Sequence, residues 1–172
     1  MEIQIKAITL FAAIILTGLS AGFFYAWEFT VIPGTKKVGD HTYIETMQSI
    51  NRAIINPAFM LIFFGTLAVQ VLSTYQFKGT TAFWFLLAAT AVYSFGSILV
   101  TIVGNVPMNN ALDVVNLNSL NSEQLINQRS QYEPRWNRLH SIRTAFSVIS
   151  FMLLLLASFV ANGSQEFLKI NL

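Results

Sequence analysis

Four stretches without a charged residue run through the chain: Ala7–Trp27, Pro57–Phe77, Gly79–Leu112 and Thr144–Gln165. About 20 apolar residues cross a bilayer core as a helix, so each stretch can span one. The pattern predicts helices near 5–32, 57–76, 81–103 and 137–161. The third stretch exceeds a single span, and Gly104, Pro107 and the polar Asn105, Asn109 and Asn110 are expected to end its helix. Lys6, an apolar run and Ser20-Ala21-Gly22 have the flavour of a secretory signal. The run is longer than a usual signal core, and a retained first transmembrane helix is the expectation.

The polar connections carry their own signals. Asp40 is placed to cap a helix whose apolar face is Tyr43, Met47, Ile50 and Ile54, with Glu45, Gln48 and Arg52 opposite. This reads as an interfacial amphipathic helix. Asn56-Pro57 is a helix start, with Asn as cap and Pro at the first helical position. The junction at 76–80 is so short that the second and third spans form a hairpin. In the long 104–135 connection, Asn121 and Gln124 make a capping box that opens a short helix up to Gln131, and Pro134 is expected to begin the last span. Gly18, Gly22 and Ala26 form a ridge of small residues for close helix contact. No internal repeat or low-complexity linker is present. The expectation is one all-α domain over 1–172, an integral membrane four-helix bundle with short interfacial helices in its two long loops.

Composition changes the picture in one respect, the solvent. Hydrophobic residues make up 54% of the 172 and charged ones 10%, against roughly a quarter charged in soluble domains. The lipid bilayer is therefore the first partner. A net charge of +2 offers no argument for nucleic acid. The chain has no cysteine, which removes disulfides, thiolate metal sites and thiol catalysis. Four spans place both termini on one side, with the 33–56 and 104–135 loops opposite. Lys36, Lys37, Arg52, Arg129, Arg135, Arg138 and Arg143 belong to the two-loop face; Lys6, Lys78 and Lys169 belong to the other. The positive-inside rule makes the two-loop face cytoplasmic, in a plasma (inner) membrane protein.

Candidate chemistry collects at that face. Trp136, His140 and Arg143 lie at i, i+4 and i+7 on one helical face, and the stripe continues through Ser147 and Ser150. Lipid cannot solvate such a stripe, so it needs a buried partner or a water-filled pocket. Glu28, Asn51, Arg52, Asn56, Asn105, Asn109, Trp136, Asn137, His140 and Arg143 would line a one-sided polar pocket if the helix ends converge. Each has a plainer reading. His140 is either a hydrogen-bonded interface histidine or a general base. Arg143 is a snorkelling residue, a site residue, or half of a buried ion pair with Glu28. Trp136 is a belt anchor or a stacking wall, Arg138 an anchor, and Asn56 a cap before it is a contact. Asn105 and Asn109 could serve loop backbone. No histidine pair has metal-ligand spacing, which argues against a metal, and a haem between His41 and His140 is the weaker alternative.

The segments GLSAGFFYAWEFTVIPG, INRAIINPAFMLIFFG, GNVPMNNAL and YEPRWNRLHSIRT, in that order over residues 10–160, resemble the anthrone oxygenase family of small four-span membrane proteins. The most specific elements are Asn105, Pro107 and Asn109, and Trp136, Asn137, His140 and Arg143. The resemblance implies O2-dependent oxidation of an anthrone-like, flat lipophilic molecule, with O2 as co-substrate and no cofactor required. In that reading His140 is the base, Arg143 steadies the oxyanion, Trp136 stacks on the rings, and Asn105 and Asn109 orient the carbonyl. The competing reading is a non-enzymatic binding or accessory protein for a lipophilic ligand or partner. Transport is a third, and would require a homo-oligomer.

Overall fold

In the computed structural model, residues 5–170 are described as backbone and 5–162 also as side chains. All regular structure among them is helical. Helix α1 (Ile5–Ala26) continues through a wide π-type turn (Trp27–Val31) and a last turn (Ile32–Thr35). Then come α2 (Asp40–Ala53), α3 (Pro57–Gln76), α4 (Thr81–Tyr93) and α5 (Ser122–Ile170). Four of the helical stretches are long and apolar enough to cross a membrane: Ile5–Thr35, Pro57–Gln76, Thr81–Asp113 and Ser122–Asn162. The protein is a membrane-type four-helix bundle, as the hydrophobic pattern predicts.

The far end of the bundle is regular and tightly packed. Leu10, Ala13, Phe77, Ala82, Leu86, Ala89, Leu154 and Ala157 form its core. Polar side chains there tie the helices together: Gln70 Nε2 donates to Thr17 Oγ1 at 2.9 Å and Ser150 Oγ at 3.1 Å, and Ser150 donates to the Ala89 carbonyl. Such bonds hold transmembrane helices together where lipid gives no hydrophobic drive, although Gln70 Oε1 and Ser73 Oγ are buried without a partner among the described residues. Lys169 falls outside the residues whose side chains are described.

Three expectations about helix ends are corrected. The third span does not stop at residue 103. It runs through two wide turns (Ser94–Leu99 and Thr101–Asn105) into Val106–Asp113. The Val106 amide donates to the Thr101 carbonyl, five residues back. The wider bonding carries the helix past Gly104 to Pro107, which sits in the first turn of the next segment, where its missing N–H costs least. The last span begins not at Pro134 but at Ser122, and Pro134 lies inside it. The expected capping box opens this long helix: Asn121 N donates to Gln124 Oε1 and Gln124 N to Asn121 Oδ1, both at 2.9 Å. Asp40 is the first residue of α2, with Gly39 in the cap position and no side-chain cap bond. Its carboxylate instead accepts from Arg129 Nη1 at 3.1 Å.

The small-residue ridge is corrected as well. Only Gly18 meets a neighbouring helix, at Phe151; a Cβ on Gly22 would touch nothing. The close approach lies between α4 and α5. A Cβ on Gly96 would sit 2.1 Å from Phe146, and one on Gly104 2.7 Å from Leu139. At both positions the absent side chain lets the helices meet.

Helix α2 folds back over the open end of the bundle. Tyr43, Ile44 and Met47 are buried against Leu112, Tyr132 and Trp136. Gln48, expected on the polar face, is buried too, and its Nε2 donates to the carbonyls of Leu112 (2.8 Å) and Val115 (2.9 Å). Arg129 fastens the preceding loop, donating to the carbonyls of Thr35, Lys36 and Val38 while pairing with Asp40 and Glu133. It also lies over the Tyr43 ring, 4.5 Å from its centre. Burial raises the Tyr43 hydroxyl well above the ordinary tyrosine range, with Glu133 adding to the effect, so this contact stays neutral at any physiological pH.

Candidate functional site

Beneath α2 lies a pocket of about 180 Å³ walled by α1 and its wide turn, α2, α3, the end of the third span (residues 101–113) and α5. Phe23 and Trp27 of α1, Phe59 and Phe63 of α3, and Trp136 of α5 supply aromatic surface. Asn51, Thr101, Asn109 and Arg143 are the polar groups in its inner wall, with Arg52 and Asp113 at the rim. The lining is thus more aromatic and less polar than the sequence suggests.

Arg143 is the centre of the arrangement. It is 6% exposed, and its guanidinium donates from Nε (3.0 Å) and Nη2 (2.8 Å) to His140 Nδ1. A guanidinium only donates, so Nδ1 must be the unprotonated nitrogen. His140 Nε2 then donates to the Phe24 carbonyl at 3.0 Å. The imidazole is neutral, with both nitrogens occupied. Phe24 and Trp136 hold the cation by their faces, at 4.7 and 5.1 Å from the ring centres. His140 itself is stacked on Trp136, ring centres 5.2 Å apart and planes within 5°.

No carboxylate among the described residues lies within ion-pair distance of Arg143. The ion pair with Glu28 considered from sequence does not form. Glu28 Oε1 accepts from Ser141 Oγ at 2.8 Å, and Oε2 stands 3.8 Å from His140 Nε2. The Arg143 Nη1 amino group has no protein acceptor among the described residues. An unneutralised cation held inside a membrane bundle is costly unless something compensates it. Thr101 adds a second unmatched group, a buried hydroxyl in the pocket wall without a partner.

A second network fixes the wall beside α2. Asn109 Oδ1 accepts from Trp136 Nε1 (2.8 Å) and Tyr132 Oη (2.9 Å), while Asn51 Nδ2 donates to Tyr132 Oη (3.3 Å). Two donors on Oδ1 fix which way the Asn109 amide points, leaving its Nδ2 hydrogens free for a ligand. Asn109 is therefore helical and serves side chains, not loop backbone. Asn105 stands behind the wall: its Nδ2 donates to the Trp136 carbonyl at 3.4 Å, and its buried Oδ1 lacks a partner.

Of the ten sequence candidates, Asn51, Arg52, Asn109, Trp136 and Arg143 line the pocket. His140 and Asn105 support it from behind. Arg52 is tied to Asp113 at 2.5 Å at the exposed rim. Asn56 is a helix cap, its Oδ1 accepting from the Phe59 amide at 3.0 Å, and neither it nor Asn137 nor Glu28 reaches the pocket. Sequence reasoning passed over Thr101, Tyr132, Trp27, Phe59 and Phe63. The i, i+4 spacing of Phe23 with Trp27 and of Phe59 with Phe63 is a signal, but in an apolar span such pairs look like any lipid-facing surface. His41 stands beside Glu45 on the exposed side of α2, away from His140. No group of three or more metal-ligating residues occurs among the described residues.

Fold and site together define a class: a small four-span helical membrane protein whose roofed aromatic pocket ends on a buried arginine with no directly paired carboxylate among the described residues. The anthrone oxygenase family model matches residues 49–153, and the chain belongs to that family. The matched stretch contains the pocket residues from Asn51 to Arg143, while Glu28 and the first span fall outside it. No curated protein and no solved structure matches the chain.

Proposed function

We propose that the pocket binds a flat lipophilic molecule as its oxyanion and exposes it to O2, an anthrone- or quinol-like substrate being oxidised without a resident cofactor. One observation carries this reading: the Arg143 guanidinium is buried among aromatic rings, and no carboxylate of the described residues lies within ion-pair distance of it, Glu28 reaching only as far as His140. A preorganised donor of this kind stabilises developing negative charge most where water is excluded. An anthrone gives a ring proton to water and becomes an aromatic oxyanion, and that anion can pass electrons to O2. In the whole reaction the ring methylene gives up two hydrogens and takes one oxygen atom, and the second oxygen atom leaves with those hydrogens as water.

The roles of individual residues shift from the sequence expectation. His140 has no free lone pair, so here it is a positioning residue that aims the guanidinium instead of the base. Trp27, Trp136, Phe59 and Phe63 provide the flat walls. Asn109 Nδ2 and the Thr101 hydroxyl meet the substrate's other oxygens. O2 uptake with 1,8-dihydroxyanthrone by protein in nanodiscs tests the reading. Arg143→Gln is expected to lose roughly 100-fold in kcat/KM, about 2.7 kcal/mol. His140→Gln, whose amide oxygen can still accept from Arg143, should retain most of the activity. Uptake no faster than that of empty nanodiscs would refute the oxidation.

The engagement of both His140 nitrogens also favours a second reading, a non-enzymatic carrier of the same kind of molecule. Under it the wild type binds 1,8-dihydroxyanthraquinone in an Arg143-dependent manner yet consumes no O2.

A further inference from the structure

The way the helices part at the pocket suggests how a ligand reaches it. Helix α3 packs on the regular part of α4 and on its first wide turn, whereas 101–113 leans on α5 and α2 instead. A cleft is left between α3 and the end of the third span, and the pocket extends into it. Met60 and Phe64 form one edge, Ile102 and Val106 the other. Phe64, Ile102 and Val106 are exposed and apolar, and all lie on helices long and apolar enough to span.

The end facing the loops is closed differently. Helix α2 lies across it, fastened to the end of the third span by the two Gln48 bonds and by the Arg52–Asp113 pair. One boundary of the pocket is thus roofed and bonded, and the other is apolar and unbonded. At the inner end waits a guanidinium lacking an anion.

We propose that the pocket exchanges its ligand sideways with the bilayer through the cleft between α3 and residues 101–113, and that this ligand is a lipophilic weak acid carrying one oxyanion. The ligand class rests on the reading of Arg143 given above; the route rests on the cleft. An apolar molecule dissolved in the acyl chains meets apolar lips at its own depth, and its acidic oxygen is drawn inward to the Arg143 guanidinium, Arg52 at the rim being tied to Asp113. A water-soluble anion would have to displace the bonded roof first.

The absence of native cysteines makes the route directly testable. Met60→Cys with Val106→Cys, joined by a short reducible bis-thiosulfonate, closes the cleft. Ser49→Cys with Val115→Cys, on the outer side of α2 and the loop after the third span, joined in the same way, locks the roof without touching the pocket. Both pairs are placed in a Trp27→Phe, Trp84→Phe background, so that Trp136 alone reports. The first readout needs no ligand: quenching of Trp136 by dibromostearoyl phosphatidylcholine in reconstituted vesicles. It is expected to drop on closing the cleft, return on reduction and ignore the locked roof.

The second readout is the binding rate of 1,8-dihydroxyanthraquinone, expected to slow roughly tenfold with the cleft closed and to stay within roughly twofold with the roof locked. Bromolipid quenching that is insensitive to the cleft cross-link overturns the lateral route, including the case in which a second copy of the chain covers the lips. Slowing by the roof lock alone overturns it in favour of access from water. If Arg143→Gln binds the quinone as well as the parent does, the oxyanion reading fails while the quenching result still decides the route.

Discussion

The two ends of this bundle are built on different rules. At the far end, α1, α3, α4 and α5 are regular, their cores are aliphatic, and Gln70, Thr17, Ser150 and the Ala89 carbonyl answer one another. At the loop end, three wide turns interrupt the spans. Both ends keep buried oxygens without a partner, Gln70 Oε1 and Ser73 Oγ at the far end and Thr101 Oγ1 and Asn105 Oδ1 here. But the loop end also buries the Arg143 guanidinium with no carboxylate of the described residues within ion-pair distance. Polar groups within a membrane protein are retained either because they bind helices together or because something else binds to them. The Gln70 bonds at the far end join three helices and are the first case; on the function proposed above, the loop end is the second. Wide turns are frequent at functional sites, and here all three flank the residues around Arg143.

The contrast predicts opposite responses to substitution. The largest effect on stability belongs to the far end: Leu154→Ala, fully buried among α1 and α4 side chains, should cost about 2–4 kcal/mol in an unfolding titration in detergent. It should leave quinone affinity unchanged. Arg143→Met is the mirror experiment. Relief of the buried charge offsets the lost bonds to His140 Nδ1, so stability should change by less than about 1.5 kcal/mol, while affinity for 1,8-dihydroxyanthraquinone falls by roughly 100-fold, about 2.7 kcal/mol. A marked loss of stability in Arg143→Met would mean that the guanidinium is structural, and the contrast would collapse. The smallest effect is at Thr101→Val, which removes a hydroxyl that has no partner in the empty protein. Unfolding should not shift downward, and binding should weaken by roughly fivefold, about 1 kcal/mol.

Much of the loop end was legible in the sequence because helical spacing is arithmetic. Trp136, His140 and Arg143 recur on one face, and the structure does bring them together through a shared stack and hydrogen bonds. Asn56 reads as a cap from the Asn-Pro pair and is one. What spacing could not give was the partner of each group. Arg143 lies at i+3 from His140 and takes its acceptor there, not from Glu28, because α1 directs Glu28 toward Ser141. Thr101 looks like any helical threonine until the wide turns set it in the pocket wall.

The sequence by itself determined the solvent, the number of spans and the caps at Asn56 and Asn121. These depend on run length, charge and local backbone chemistry, which are properties of neighbouring residues. It also marked the polar stripe, since periodicity within one helix is local. Only the tertiary structure decided where the third and fourth helices begin and end. Gly104, Pro107 and Pro134 are local breakers, and wide-turn bonding together with packing against α5 carried the chain through them. Tertiary structure likewise made α2 a roof, because burying Gln48 requires the carbonyls of Leu112 and Val115, more than 60 residues away. And it left Arg143 without an anion, since whether a charge is neutralised depends on what the other helices bring to it.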